Sequence, residues 1–179
     1  MKKLLAFLLA LSINSYSQNI GLELGIGSSK AKVSDGTTSI STDTYSGFLA
    51  GLVIDFEYSK SLKLETGLSF GFLQVDGESS NSWGVPLTLK YYYNKESRLH
   101  LRTGIAYSSS LEDVDTSIVK KDALSAEFGL GYDINNNLSL VAVYSTQLSN
   151  SAGPQLDGLS VKGSSFGMGL QYFFDKNII

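Results

Sequence analysis

The sequence predicts an all-β chain, an eight-stranded antiparallel up-and-down barrel, and three observations predict it. Apolar residues alternate with polar or small ones at a period of two in eight successive runs. The connections between runs alternate short and long, and the charged side chains within the runs fall on the face opposite the apolar one. Composition agrees. A chain of 179 residues fits one domain. At 42% hydrophobic and 17% charged it is too apolar to stay disordered, and a formal net charge of -3 gives no basic footprint, so no nucleic-acid partner is expected. With no Cys and one His, the chain offers no disulfide framework, thiolate zinc site, iron-sulfur cluster, cysteine nucleophile or His-pair metal site. No metal or cofactor is expected.

Ahead of the first run, Lys2 and Lys3 precede an apolar stretch from Leu4 to Ile13 and a small-x-small site at Ser15-Tyr16-Ser17. This pattern predicts a secretory leader over residues 1–17, cleaved before Gln18, and a barrel domain over 18–179. The apolar stretch is half of the roughly 20 residues a spanning helix needs, and no other stretch approaches that length. Without a Cys there is no lipobox.

The first run sets Ile20, Leu22, Leu24 and Ile26 on one face, and the second Phe48, Ala50, Leu52, Ile54, Phe56 and Tyr58. The third carries Leu62 to Phe72 at alternate positions, the fourth Trp83 to Tyr93, the fifth Leu99 to Tyr107 and the sixth Leu124 to Tyr132. Leu138 to Tyr144 and Phe166 to Phe174 complete the set. Each run is near the 9 to 11 residues that, at about 45° tilt, cross a bilayer. Short turns are expected at 59–61, 94–97 and 135–137. Long polar loops, rich in Ser, Thr, Asp and Gly, are expected at 28–44, 74–82, 108–122 and 149–162, with mobile tips. Short-long alternation with an even strand count is the pattern of an outer-membrane barrel, with tight periplasmic turns, longer extracellular loops and both termini on the periplasmic side.

Either face of such a barrel can meet a lipid or a ligand, and the aromatic residues decide between the two. Tyr58, Tyr91, Tyr93, Tyr132, Tyr172 and Phe174 lie at one end of the apolar face, and Phe48, Phe72, Trp83, Tyr107 and Phe166 at the other. Two aromatic rings sorted by height match interfacial girdles, so the apolar face is expected to meet lipid. A soluble lipocalin-like barrel, with that face inward around a ligand, is the alternative. Glu23, Asp55, Glu57, Lys63, Glu65, Lys90, His100, Arg102, Glu127 and Asp133 share the other parity and are expected to form a polar network in the lumen. Many Gly share it too, among them Gly21, Gly25, Gly47, Gly67, Gly104 and Gly131, because an eight-stranded barrel is only wide enough for small residues to alternate with large ones. Counting equally from Lys60 places Glu57 opposite Lys63 across the first turn.

Val85-Pro86-Leu87-Thr88-Leu89-Lys90-Tyr91-Tyr92-Tyr93, followed by Leu99-His100-Leu101-Arg102-Thr103-Gly104, resembles the central hairpin of the Bacteroidota-type outer-membrane β-barrel domain family, which includes PorT-like proteins. Phe128 to Tyr132 and Tyr144 to Asn150 resemble its later strands, and Gly169 to Phe174 is similar to its aromatic terminal strand. Here Asp175 to Ile179 follow the aromatic pair, where the family pattern ends on Phe. The resemblance implies a barrel of the Gram-negative outer membrane, inserted by the barrel-assembly machinery and in contact with membrane lipid and lipopolysaccharide. It brings no catalytic residues.

His100 with Arg102, Lys90, Glu65 and Glu127 is read as an ion-pair network filling the lumen, because inward polar groups in a narrow barrel must find partners. The His-x-Ser of lipid-cleaving barrel enzymes is absent, since Arg102 stands where the Ser would be, and a triad on an inward His100 leaves substrate no entry. Glu112-Asp113-Val114-Asp115-Thr116-Ser117 lacks the Gly and terminal Glu of a calcium loop and is read as a solvated loop, with cation bridging to lipopolysaccharide as the alternative. The chain is therefore expected to be non-enzymatic, with a plugged lumen and a structural or surface-interaction role through its loops, its protein partner unspecified. A narrow porin for small solutes and a PorT-like accessory of a secretion or gliding machinery are the alternatives.

Overall fold

A computed structural model describes residues 18–75, 78–94, 96–112 and 115–174 of the chain. The expected leader over 1–17, Asp113 and Val114 of the acidic loop, and the tail from Asp175 lie outside the described residues. The strands are β1 (Gln18–Ser34), β2 (Ser39–Ser41), β3 (Tyr45–Ser59), β4 (Leu62–Val75), β5 (Glu78–Tyr92), β6 (Leu99–Ser110), β7 (Asp122–Asp133), β8 (Leu138–Gln147) and β9 (Ser160–Phe173). Eight of them, β1 and β3 to β9, pair antiparallel in chain order, and β9 returns to pair with β1 from Gly21↔Phe173 to Ser34↔Ser160. The sheet is thus the closed eight-stranded antiparallel barrel that the period-two pattern predicts. The short β2 pairs only with the far end of β1, outside the closed circle.

Alternation fixes which way each strand faces. Leu24 is 66% exposed, Ile26 69% and Phe48 57%, whereas Val53, Asp55, Glu65, Lys90 and His100 on the opposite parity are buried. Apolar groups cover the outside and polar groups fill the inside, the reverse of the lipocalin arrangement. Gly on the inner face lets neighbouring strands coil closely. A Cβ at Gly47 would strike the carbonyl oxygen of Phe72, and one at Gly67 that of Leu52.

The turn end of the barrel is tight. Asn135 Oδ1 accepts the backbone N–H groups of Asn137 and Leu138 at 2.9 Å each, and Asn94 Oδ1 accepts that of Glu96 at 3.1 Å, both local substitutes for a backbone turn. In the first turn a bulge at Tyr58 separates Glu57↔Lys63 from Ser59↔Leu62, and the Glu57–Lys63 pair reaches 3.8 Å.

The loop end departs from the sequence reading. Ser28 to Ser34 belong to β1, Gln74 to Ser82 form the ends of β4 and β5 around 76–77, and Ser108 to Ser110, Asp122 and Ser160 to Lys162 are also strand. Beyond the apolar belt both faces of a strand are free to be polar, so the alternation that marks strands disappears while the hydrogen-bond ladder continues. The two remaining long connections are not separate mobile tips. Val119 bridges Ala152, Lys120 N–H donates to the Ser151 carbonyl at 2.8 Å, and Gly153 N–H donates to that of Ile118 at 2.6 Å. These bonds join the β6–β7 and β8–β9 loops into one cap, with Ser151 and Ala152 buried beneath it.

Candidate functional site in the barrel lumen

The inward side chains of six strands converge in one layer. Lys90 of β5 places Nζ 2.8 Å from Asp55 Oδ1 of β3 and 2.6 Å from Glu65 Oε2 of β4, and it lies 5.0 Å from the Phe173 ring centre. Arg102 of β6 forms an ion pair with the other Glu65 oxygen. Gln171 of β9 closes the layer. Its side-chain oxygen accepts from Lys90 and from Arg102 at 3.4 Å each, and its amide donates to Glu23 of β1 at 3.0 Å. Gln171 is wholly buried and Lys90, Glu65 and His100 are each 1% exposed. Buried charge is tolerated only when it is paired and hydrogen-bonded; Glu65 is held between two cations and Asp55 by Lys90, while Arg102 Nε has no hydrogen-bond partner among the described residues.

A second cluster sits toward the turns. His100 packs against Tyr92 with ring centres 4.7 Å apart, and its Nδ1 lies 3.7 Å from Asp133 Oδ1. Asp133 in turn accepts from the Tyr92 hydroxyl at 3.0 Å and from Ser139 at 2.7 Å. Gly131 makes room for the imidazole, because a Cβ there would collide with it. Lys63 stands over the Tyr92 ring of this cluster, 5.3 Å from its centre. Glu127 is half-buried on the loop side, where it lines the same cavity wall as Thr88.

The ten charged or ionisable residues singled out from the sequence therefore all face inward, but they divide into the Lys90 layer, the His100 cluster, the Glu57–Lys63 pair and Glu127, which stands apart on the loop side. Gln171, Tyr92, Asn19, Thr88 and Ser139 are buried among them and were not singled out; each has the inner parity, which was the only signal for it. Of the aromatic residues, Phe48, Tyr58, Phe72, Tyr91, Tyr107, Tyr132, Phe166 and Tyr172 are exposed on the outer face, and Trp83 is half-buried there against Tyr107, ring centres 5.7 Å apart. Tyr93 and Phe174 lie just past the ends of β5 and β9 and are also exposed.

Cavities flank the layer on either side. The one toward the loops has a volume of about 360 Å³ and a hydroxyl-rich wall including Ser69, Ser82, Ser125 and Ser145, with Glu65 and Arg102 at its base. The one toward the turns, about 510 Å³, is lined by Asn19, Lys63, Tyr92, Asp133, Asn137 and Phe173. In the acidic loop, Glu112 accepts the Asn81 backbone N–H at 2.8 Å and Asp115 accepts that of Ser117 at 2.9 Å, so both carboxylates bind backbone. Among the described residues no group of three or more His, Cys, Asp or Glu side chains is placed to hold a metal ion.

A closed barrel with an apolar exterior and a charged interior is the architecture of outer-membrane proteins, and the family model of the outer membrane protein β-barrel domain matches residues 4–175. The chain belongs to this family. Among solved structures, this family member is similar to Ail, the attachment invasion locus protein of Yersinia pestis, with 16% identity and a TM-score of 0.52 over 88% of this chain and 99% of that one. It is also similar to the outer membrane protein AlkL, determined by solid-state NMR in lipid bilayers, with 12% identity and a TM-score of 0.51 over 93% of this chain and 94% of that one. At these identities the likeness is one of fold. No curated protein matches the sequence.

Proposed function

We propose that this outer-membrane barrel is non-enzymatic and non-conducting, and that it works through the surface it presents at its loop end. The observation that carries the reading is the layer of Asp55, Glu65, Lys90, Arg102 and Gln171, whose members contact one another across the lumen between the two cavities. An ion crossing it would have to displace paired, buried charges, and an eight-stranded barrel has little width to spare. The joined β6–β7 and β8–β9 loops give the loop end a fixed surface, which suits recognition better than a set of independent tips. Export by a cleaved leader sets the turn end toward the periplasm and the loop end outside. The motifs of the β5–β6 hairpin support a Bacteroidota-type affiliation within the family.

A narrow porin is the second reading, favoured by the two cavities, which are separated by this one layer. Conductance of the refolded barrel in planar bilayers separates the readings. The non-conducting barrel gives no unitary steps at neutral pH; reproducible steps would overturn it in favour of the porin.

A further inference from the structure

The outer face of the β1–β9 seam carries an unpaired cluster of positive charge. Lys32 of β1 lies directly opposite Lys162 of β9, and Lys30 lies opposite Ser164, one outward row nearer the apolar belt. All three lysines are exposed, while Ala31, Val33, Val161 and Gly163 between them are less so, which places the lysines on the lipid-facing parity. Like charges directly opposite on neighbouring strands repel, and diagonal neighbours two residues away are still within reach of a lysine side chain. The ion pairs among the described residues are Lys63–Glu57, Lys90–Asp55, Lys90–Glu65 and Arg102–Glu65, and none includes these lysines.

Their height along the barrel says what meets them. Phe166 opposes Ser28 in the row immediately below Lys30, and Ile26, Met168 and Phe48 form the next row down. These are the last large apolar groups on this seam before the polar strand ends, so the hydrocarbon boundary falls at Phe166 and the lysines stand at headgroup depth. Ser28, Ser46 and Ser164 supply hydroxyls beside them on the same parity. An anion seated between Lys32, Lys162 and Lys30 would turn a repulsive row into a bridged one.

We propose that Lys30, Lys32 and Lys162 form a binding site for the phosphate of a lipid headgroup in the leaflet at the loop end. Its assignment to the outer leaflet rests on the orientation proposed above; phosphate recognition itself does not.

The test uses the full barrel reconstituted in symmetric vesicles of phosphatidylcholine containing phosphatidic acid, so that both ends meet the same lipids and orientation has no influence. Native mass spectrometry of the released protein reads the enrichment of phosphatidic acid adducts over phosphatidylcholine. Wild type is expected to be enriched, Lys32→Gln to lose about fivefold, as one lysine near an anionic surface is worth, and the triple Lys30→Gln/Lys32→Gln/Lys162→Gln variant to show no preference. Lys60→Gln at the opposite end is expected to leave the enrichment unchanged. Lys32→Glu, which would pair with Lys162, should keep the heat-dependent gel shift of a folded barrel while losing the enrichment. Wild-type enrichment in the triple variant, an equal loss in Lys60→Gln, or displacement of the lipid by free inorganic phosphate would each overturn the site. Protease accessibility of the loops on intact cells tests the orientation separately.

Discussion

Lys90 and Glu65 approach to 2.6 Å inside the barrel, each side chain 1% exposed. Removing one partner of a buried pair costs more than the pair itself contributes, because the other charge remains buried. Lys90→Met is expected to lower stability by about 3–5 kcal/mol, read from the urea midpoint of the refolded barrel. Adding Asp55→Asn to Lys90→Met should recover part of the loss, since Asp55 depends on the same ammonium. Additive losses would mean the layer is held by Arg102 and Gln171 alone.

His100 and Gly131 are complementary in shape. Gly131→Ala forces the imidazole to move and is expected to cost about 1–3 kcal/mol, the usual range for overpacking. Combined with His100→Ala, the same substitution should cost much less than alone. Equal cost in both backgrounds, by denaturant titration, would show that the added methyl clashes with backbone instead.

The outward rows differ in depth. Leu24 lies between the row of Leu22 and Tyr172 and the row of Ile26 and Phe48, near the middle of the belt. Leu24→Arg is expected to destabilise by about 2–4 kcal/mol in lipid vesicles, and Ser28→Arg, beside Phe166, by about 0–1 kcal/mol. Similar costs at the two positions would place the hydrocarbon boundary elsewhere.

Asp35 organises the turn between β1 and β2. Its carboxylate accepts the backbone N–H groups of Thr38 at 2.7 Å and Thr37 at 2.9 Å and the Thr37 hydroxyl at 2.9 Å, which lowers its pKa from 3.8 to about 2. A carboxyl whose folded value lies below its ordinary one stabilises the turn above the ordinary range, and that stabilisation is lost as pH falls toward the folded value. The Thr37 and Thr38 amide resonances should therefore titrate near pH 2. A midpoint near 3.8 would show the turn open in solution.

Strand direction and facing were legible because one rule, period two against a lipid boundary, governs every residue from Ile20 to Ile26 or from Leu99 to Tyr107. The Glu57–Lys63 pair was legible because a tight turn fixes its own register. Two of the partners of Lys90 were not. Asp55 is on β3 and Gln171 on β9, neither adjacent to β5, so their meeting depends on the stagger of the closed barrel, which no local pattern carries. Gln171 and Tyr92 carry no distinguishing signal in the sequence, because an uncharged polar residue on an inner face looks like any other. Ser28 to Ser34 read as loop because a strand that has left the lipid no longer needs an apolar side.

Pairing of β1 with β9 joins residues nearly the whole chain apart, and every other barrel pairing is between successive barrel strands. Until β9 is in place, β1 has an open edge, exposed to whatever other edge it meets. Closure is consequently the pairing of highest contact order, and a chain stopped before Ser160 would retain two free edges however well its first seven barrel strands had paired. Completion of the barrel then comes down to a single pairing that joins its beginning to its end.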